Sequence, residues 1–261
     1  MRPKKSLGQN FLMDAGTSAR IARLAVDAPG DRVLEVGAGT GSLTAALLAA
    51  GADLTAFDLD DRLVDILRSR DDLAPARIEH ADALEFDYAG YAGSGPWRVA
   101  GNLPYNIATP LLIGLAQMER APERIVAMIQ KDVADRLLAR PGTAAYGSLT
   151  VALAVTMRAE RAFNVSPGQF FPRPKVVSSV VVLHRLAAPL VPPGERVRFE
   201  HVVRGAFAYR RKTLANSLAL ALELPREQIA AALLTLGLDA DIRGEALDLD
   251  TFAALARSVP H

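Results

Sequence analysis

Arg32-Val33-Leu34-Glu35-Val36-Gly37-Ala38-Gly39-Thr40-Gly41 runs from an apolar strand into a turn with three glycines. The apolar residues on both sides of Glu35 are the pattern of a strand covered on both faces. The glycines let the backbone turn tightly and come close to a ligand. A helix is expected after the turn, from Gly41 to Ala50, and another before the strand, from Ala15 to Ala28. Further short apolar strands are expected at 53–58, 77–80, 97–100 and 124–129. Between them lie a helical period at Leu63, Ile66 and Leu67, ending in the polar turn Asp71-Asp72, and a crossover helix from Pro110 to Met118. Such alternation defines an α/β fold of the doubly wound, Rossmann-like kind, a mostly parallel sheet with helices on both faces.

Val176 to Leu186 is rich in valine without a helical period, and it is expected to close the large domain as a late strand, antiparallel to its neighbour. Pro189, Pro192 and Pro193 then interrupt both helix and central strand, because proline lacks the amide donor and restricts the residue before it. The expected organisation is one α/β domain over 1–188 and a small all-helical domain over 195–261, with helical patterns at 202–222, 227–236 and 249–256. A unit of about 67 residues is marginal alone and should pack against the first.

The 261 residues are 50% apolar and 23% charged, with mean hydropathy +0.15, which excludes a disordered chain. No run reaches the ~18 uncharged apolar residues of a membrane helix. The basic start leads into Ser6-Leu7-Gly8 rather than an apolar signal core, so a cytoplasmic protein without membrane attachment is expected. The absence of cysteine excludes disulfides, a thiol nucleophile and thiolate zinc sites, and four scattered histidines suggest no metal.

Net charge is only +1, yet it is unevenly spread. Residues 46–100 carry five basic and eleven acidic side chains, net −6. Residues 1–23 (with Lys4 and Lys5) and 158–185 (with Arg173 and Lys175) each have five basic against one acidic, net +4; 196–216 (with Arg204, Arg210, Arg211 and Lys212) has six against one, net +5. Gathered on one face, the three basic segments make a polyanion groove; dispersed, they are three solvated faces.

The G-x-G-x-G spacing of Gly37, Gly39 and Gly41 differs from the dinucleotide fingerprint, and no Gly-Lys-Ser/Thr follows, so neither a nicotinamide site nor a P-loop is matched. As a plain turn it would need no ligand. Asp58 ends the next strand seventeen residues after Gly41, where a carboxylate can accept from both hydroxyls of a ribose, pointing to an adenosine-type ligand. Asp60 and Asp61 read as helix N-terminal residues. Asp82, ending the third strand, can accept from an adenine amine or cap a helix.

Asn102-Leu103-Pro104-Tyr105-Asn106 follows the fourth strand with an amide, a proline-fixed carbonyl and an aromatic ring. An adenine amine is a poor nucleophile because its lone pair is delocalised into the ring. The Asn102 side-chain oxygen and the Leu103 carbonyl, its direction held by Pro104, can accept the two amine hydrogens and localise that pair toward a methyl donor, while Tyr105 stacks on the base.

These residues resemble the class I, S-adenosylmethionine-dependent adenine methyltransferases. The segments Lys5-Ser6-Leu7-Gly8-Gln9-Asn10-Phe11-Leu12, Phe170-Phe171-Pro172-Arg173-Pro174-Lys175-Val176 and Tyr209-Arg210-Arg211-Lys212-Thr213-Leu214-Ala215-Asn216-Ser217-Leu218 narrow the resemblance to the ribosomal RNA adenine N6,N6-dimethyltransferases of the bacterial small-subunit type. The resemblance extends to Arg243-Gly244-Glu245. It implies that Asn10, Leu12, Gly37, Asp58, Asp82 and Asn102 contact S-adenosylmethionine, with Gly39 in the same loop. The family commonly has Glu where this chain has Asp58; the shorter carboxylate still reaches a ribose. It also implies that Phe170 stacks on the target adenine opposite Tyr105, with Phe171 as the competing ring, and that Arg210, Arg211 and Lys212 meet RNA phosphates.

The implied reaction is dimethylation of N6 on two adjacent adenosines in a hairpin near the 3′ end of small-subunit (16S) rRNA, by a metal-independent monomer whose partner is the small ribosomal subunit. The alternatives are a large-subunit rRNA methyltransferase of the resistance type, a noncatalytic RNA-binding assembly factor and, more remotely, a DNA adenine methyltransferase. The Arg210–Leu218 and Arg243-Gly244-Glu245 stretches weigh against the first, and the intact Asn102–Tyr105 motif against the second.

Overall fold

The computed structural model describes residues 9–259. The strands are β1 (Phe11–Leu12), β2 (Arg32–Val36), β3 (Asp53–Asp58), β4 (Arg77–His80), β5 (Arg98–Asn102), β6 (Arg124–Gln130), β7 (Met157–Val165), β8 (Phe170–Phe171) and β9 (Ser178–Arg185). The helices are α1 (Ala15–Ala25), α2 (Ser42–Ala49), α3 (Asp61–Arg68), α4 (Tyr88–Ala92), α5 (Ala108–Gln117), α6 (Lys131–Leu137), α7 (Ser148–Ala154), α8 (Arg196–Ala208), α9 (Leu214–Leu222), α10 (Arg226–Thr235) and α11 (Leu249–Ser258).

Seven strands form one sheet in the order β4-β3-β2-β5-β6-β9-β7, and β1 pairs with β8 in a separate two-stranded sheet. β4, β3, β2, β5 and β6 run parallel, and β9 is antiparallel to β6, as expected from the sequence. Val33 packs with Ile21 of α1 and Leu47 of α2, while Leu34, pointing the other way, is equally buried. Both faces of β2 are therefore covered, which is why its sequence reads as a continuous apolar run rather than an alternation.

Local chemistry adjusts several ends. Asp14 caps α1, its carboxylate accepting from the Thr17 amide at 2.7 Å. The helix stops at Ala25, short of the expected Ala28, because the Asp31 carboxylate takes the amides of Asp27 and Ala28 at 2.7 and 2.9 Å. β5 continues to Asn102, beyond the expected Ala100. Gly101 makes this possible: a β-carbon there would lie 2.6 Å from the Val36 carbonyl oxygen, so only glycine lets β5 pack this closely on β2.

The sequence pattern did not reveal β7, which lies at the sheet edge beyond β9. Its residues alternate in burial from Met157 to Val165, but charges occur on both parities, Arg158 and Glu160 on one and Arg161 on the other, which an edge strand tolerates and which hides the period. Phe163 on this strand receives the Arg20 guanidinium of α1 over its ring at 3.6 Å.

The chain forms two compact units: one comprises the chain up to Ala134 and Ala159–Arg185, the other Asp135–Arg158 and the chain from Leu186. The division thus departs from the expected one at the proline-rich segment. Asp135–Arg158 joins the helical unit because Tyr146, Val151 and Val155 are buried in the same cluster as Phe199, Leu218 and Phe252. Tyr146 also donates its hydroxyl to the Leu247 carbonyl at 2.9 Å. The single helical pattern expected over 202–222 is two helices, α8 and α9. Ser217 ties them, donating to the Gly205 carbonyl at 2.6 Å and accepting from the Tyr209 amide at 3.2 Å.

Candidate active site

The strand order reverses beside β2: the chain steps outward through β3 and β4, then returns to β5 on the other side. Ligands of open α/β sheets bind at such a switch point, outside the carboxyl ends of the strands. A cavity of about 300 Å³ occupies this place. Its walls are the segments leaving β2 (Glu35 to Thr40), β3 (Phe57 to Leu59), β4 (Ala81 to Leu84) and β5 (Asn102 to Ile107), closed by Gln9 to Leu12.

The glycine turn is locked onto β3. Gly37 and Ala38 donate their amides to the Phe57 carbonyl at 3.0 and 3.1 Å, and the Gly39 amide donates to Asp58 Oδ2 at 2.9 Å. Gly39 has φ +60°, and a β-carbon there would sit 3.2 Å from the Phe11 ring, so both conformation and space call for glycine. Asp58 Oδ1 accepts from the Asp60 amide at 2.9 Å. Burial pushes the Asp58 carboxyl upward, while the Asp60 and Gly39 amides pull it down. The carboxylate is thereby held in one orientation at the cavity wall.

Asp60 does not act as a simple helix cap. Its carboxylate makes no side-chain cap bond and is instead gripped by Arg62 (3.0 and 2.7 Å) and by Nε2 of the Gln9 side chain at 3.0 Å. Asp61 is the first residue of α3, as expected. Asp82 lies two residues past β4 rather than at its end. Its Oδ1 accepts from the Leu84 amide at 2.8 Å, capping a turn and not a helix, and the side chain borders the cavity. Leu59 and Leu84 are exposed apolar residues flanking the same wall, suited to the faces of a flat ring.

Glu35 is 1% exposed, and its Oε2 has no hydrogen-bond partner. Burial, reinforced by Asp58 and opposed by the Thr44 hydroxyl, pushes its carboxyl up to about 8. A cationic ligand group nearby would oppose this shift and draw the buried carboxyl toward its ionised form.

At the other wall, the Asn102 side chain donates its Nδ2 to the Asn10 carbonyl at 2.8 Å. That bond assigns the two ends of the amide, leaving Oδ1 as an acceptor for a base amine. Leu103 is buried and its amide donates to the Met128 carbonyl at 3.0 Å, while the Pro104 carbonyl accepts from Ile107 and Ala108 at the start of α5. Tyr105 borders the cavity with its hydroxyl 3.2 Å from Ser178 Oγ.

The structure thus brings Asn10, Leu12, Gly37, Gly39, Asp58, Asp82, Asn102, Leu103, Pro104 and Tyr105 together around one cavity. Phe170, expected to stack on the target base, stands apart from this wall. It is 5% exposed, packed with Leu12, Ile21 and Val180, and forms no part of the cavity wall. Phe170 pairs with Leu12 and Phe171 with Phe11, so the two phenylalanines take opposite sides of β8; Leu12, on the side of Phe170, also borders the cavity. Sequence reasoning overlooked Phe11 and Gln9 as wall residues, although the same parity places Phe11 opposite the core-facing Leu12.

Of the basic candidates, Arg173 and Lys175 are exposed beside β8. Arg204 lies within 3.6 Å of Glu200 one turn earlier on α8. Arg210, Arg211 and Lys212 are all exposed, and Arg210 also has a structural task, donating to the carbonyls of Ala144 and Tyr146 at 2.9 and 3.0 Å. Lys4 and Lys5 lie outside the described residues. Among the described residues no helix is long and apolar enough to cross a membrane, and no group of three or more His, Asp or Glu side chains is placed to hold a metal ion.

A mostly parallel sheet with a glycine turn at its switch point, a fixed carboxylate at the end of the neighbouring strand and an Asn-Leu-Pro-Tyr turn along one cavity wall define the architecture of a class I methyltransferase. The model of the ribosomal RNA adenine dimethylase family matches residues 1–256, and the chain belongs to that family. It is 45% identical to the ribosomal RNA small subunit methyltransferase A of Geobacter metallireducens, over 99% of this chain and 96% of that protein. It is 42% identical to the protein of the same name from Pseudomonas aeruginosa, over 99% and 95%. Among solved structures, a dimethyladenosine transferase from Plasmodium falciparum superposes with TM-score 0.77 at 23% identity, covering 94% of this chain and 95% of that one. The 23S rRNA methyltransferase ErmE superposes with TM-score 0.71 at 28% identity, covering 96% and 99%.

Proposed function

We propose that this enzyme transfers methyl groups to N6 of two adjacent adenosines in the 3′-terminal hairpin of small-subunit (16S) rRNA, giving N6,N6-dimethyladenosine during assembly of the subunit. The observation that carries the reading is the Asn102–Asn10 hydrogen bond, which turns the Asn102 oxygen into a fixed acceptor in the cavity wall.

S-adenosylmethionine, when bound, supplies an electrophilic methyl group on a sulfonium. The donor set suits it: Asp58 for the ribose hydroxyls, Asp82 for the adenine amine, Gly37 and Gly39 for close backbone approach, Asn10 and Leu12 at the closing edge, and the spare Glu35 oxygen for the ammonium. Asn102 Oδ1 and the Leu103 carbonyl accept the two hydrogens of the substrate amine and draw its lone pair out of the ring. Tyr105 holds the base by stacking. Held by these two acceptors, the amine nitrogen would be the atom that receives the donor's methyl, with its displaced proton passing to water. The second methylation repeats these steps after the monomethylated amine rotates.

Arg173, Lys175, Arg204, Arg211 and Lys212 supply phosphate contacts that position the RNA, Lys4 and Lys5 add to them, and the protein works as a cytoplasmic monomer on the small ribosomal subunit. The test is transfer of labelled methyl to small subunits from cells lacking this modification, followed by nucleoside analysis. Dimethyladenosine at adjacent positions is the expected product. Label on large subunits instead would assign the resistance-type activity, and tight subunit binding without transfer would make the chain a binding factor.

A further inference from the structure

We propose that Phe171, Arg173 and Lys175 form a strip outside the cavity that holds the unpaired nucleotide next to the target adenosine, its base stacked on Phe171 and its phosphates against the two cations. This rests on the methyl-transfer reading above and adds how the substrate strand is held beside the target.

Phe171 is 57% exposed and not part of the cavity wall. A phenyl ring in water is unfavourable and, unlike tyrosine, has no polar handle to offset its exposure. Its position is nevertheless specified. Antiparallel pairing sets Phe171 opposite Phe11, which lines the cavity, and Phe170 opposite Leu12, with which it packs in the core. The same β-pairing that buries Phe170 presents Phe171 to solvent beside the cavity.

The following residues continue the pattern. Arg173 and Lys175 are exposed, and Pro174 between them is buried. The segment ends at Ser178, whose Oγ meets the Tyr105 hydroxyl at 3.2 Å. The strip therefore runs from the neighbour of one wall residue, Phe11, to the contact of another, Tyr105. An aromatic face followed by alternating cations is the composition of a single-strand track, in which stacking accepts any base and cations follow the backbone. Adenine selection stays in the cavity; the strip supplies grip on the flanking nucleotide.

The test compares Phe171→Ala, Phe171→Leu and Phe171→Trp in the full chain, measuring KM and kcat on small ribosomal subunits that lack the modification and cofactor affinity by calorimetry. Alanine should raise KM about tenfold, the size of one base–aromatic stack, with kcat within about twofold of the parent. Tryptophan should restore KM, leucine should not, and cofactor affinity should be unchanged throughout. Restoration by leucine would reduce Phe171 to apolar packing, and an unchanged KM for alanine would remove it from the substrate. A fall in kcat alone would place its ring on the target base; any of these overturns the strip.

Absence of transfer by the parent chain would instead overturn the functional reading. The strip is then read separately from the fluorescence of Phe171→Trp against single-stranded oligoadenylate RNA, over the constant background of buried Trp97. Quenching that weakens when Arg173→Gln and Lys175→Gln are added supports the strip, and no quenching overturns it.

Discussion

Asn102 gives its amide nitrogen to the backbone carbonyl of Asn10 at 2.8 Å, across 92 residues of sequence. The acceptor wall and the closing edge of the cavity are therefore oriented by one another. Asn102→Ala removes both the acceptor and this tie. Methyl transfer should fall by about 10² to 10³, the usual cost of losing one donor or acceptor to developing charge. Binding of S-adenosylmethionine, measured by calorimetry, should weaken far less. An unchanged rate would exclude Asn102 as the amine acceptor.

Glu35 makes stability depend on pH. Its carboxyl, raised from 4.5 to about 8 in the folded protein, holds its proton where the unfolded chain has already released it. The contribution is fully present below pH 4.5 and is lost as pH rises toward 8, at a limiting slope of about 1.4 kcal/mol per pH unit, then levels off. Asp58, also raised, contributes in the same sense and stays in any Glu35 variant, so the comparison reads Glu35 together with its coupling to Asp58. Glu35→Gln should therefore gain on the parent in Tm steadily from pH 5 to pH 8 without cofactor. Parallel Tm curves would show that Glu35 is ionised in the fold.

Arg210 and its two neighbours should separate experimentally. Arg211→Glu with Lys212→Glu should weaken binding to small ribosomal subunits and lower the salt dependence by roughly 0.7 to 0.9 in log–log slope for each phosphate left without its cation. Arg210→Ala, which frees the Ala144 and Tyr146 carbonyls, should lower stability by about 1 kcal/mol. Binding of the double variant unaltered across a salt titration would return these side chains to a solvated face.

Tyr146→Phe tests the membership of 135–158 in the helical unit. The substitution deletes one buried hydrogen bond to the Leu247 carbonyl and keeps the ring, so denaturant unfolding should show a loss of about 1 kcal/mol with unchanged m. Burial already pushes the Tyr146 phenol up to about 12, so no titration of this group interferes at neutral pH. No loss at all would mean that Leu247 finds an equal partner in water.

Most of the parallel sheet was legible because each strand is a short apolar run ending in a chemically distinctive residue: Gly37 after β2, Asp58 on β3, Asn102 on β5. β7 was not, because an edge strand tolerates charge on both faces, with Arg158 and Glu160 exposed on one and Arg161 half-buried on the other, and the alternation that identifies a strand is lost. The helical unit's claim on Tyr146, Val151 and Val155 was equally hidden, since an apolar residue says only that it will be buried, not in which core.

Architecture, cavity loop and acceptor motif follow from the order of residues alone, because backbone conformation and hydrogen-bonding chemistry at Gly39, Asp58 and Asn102 are local properties of residue type and spacing. Which of two adjacent phenylalanines faces the solvent follows only from the folded chain. Parity is relative: Phe170 and Phe171 are interchangeable until β8 takes its register against Phe11 and Leu12, and one residue of register exchanges core for surface. The orientation of the Asn102 amide belongs to the same category, since its partner, the Asn10 carbonyl, is brought there by the fold alone.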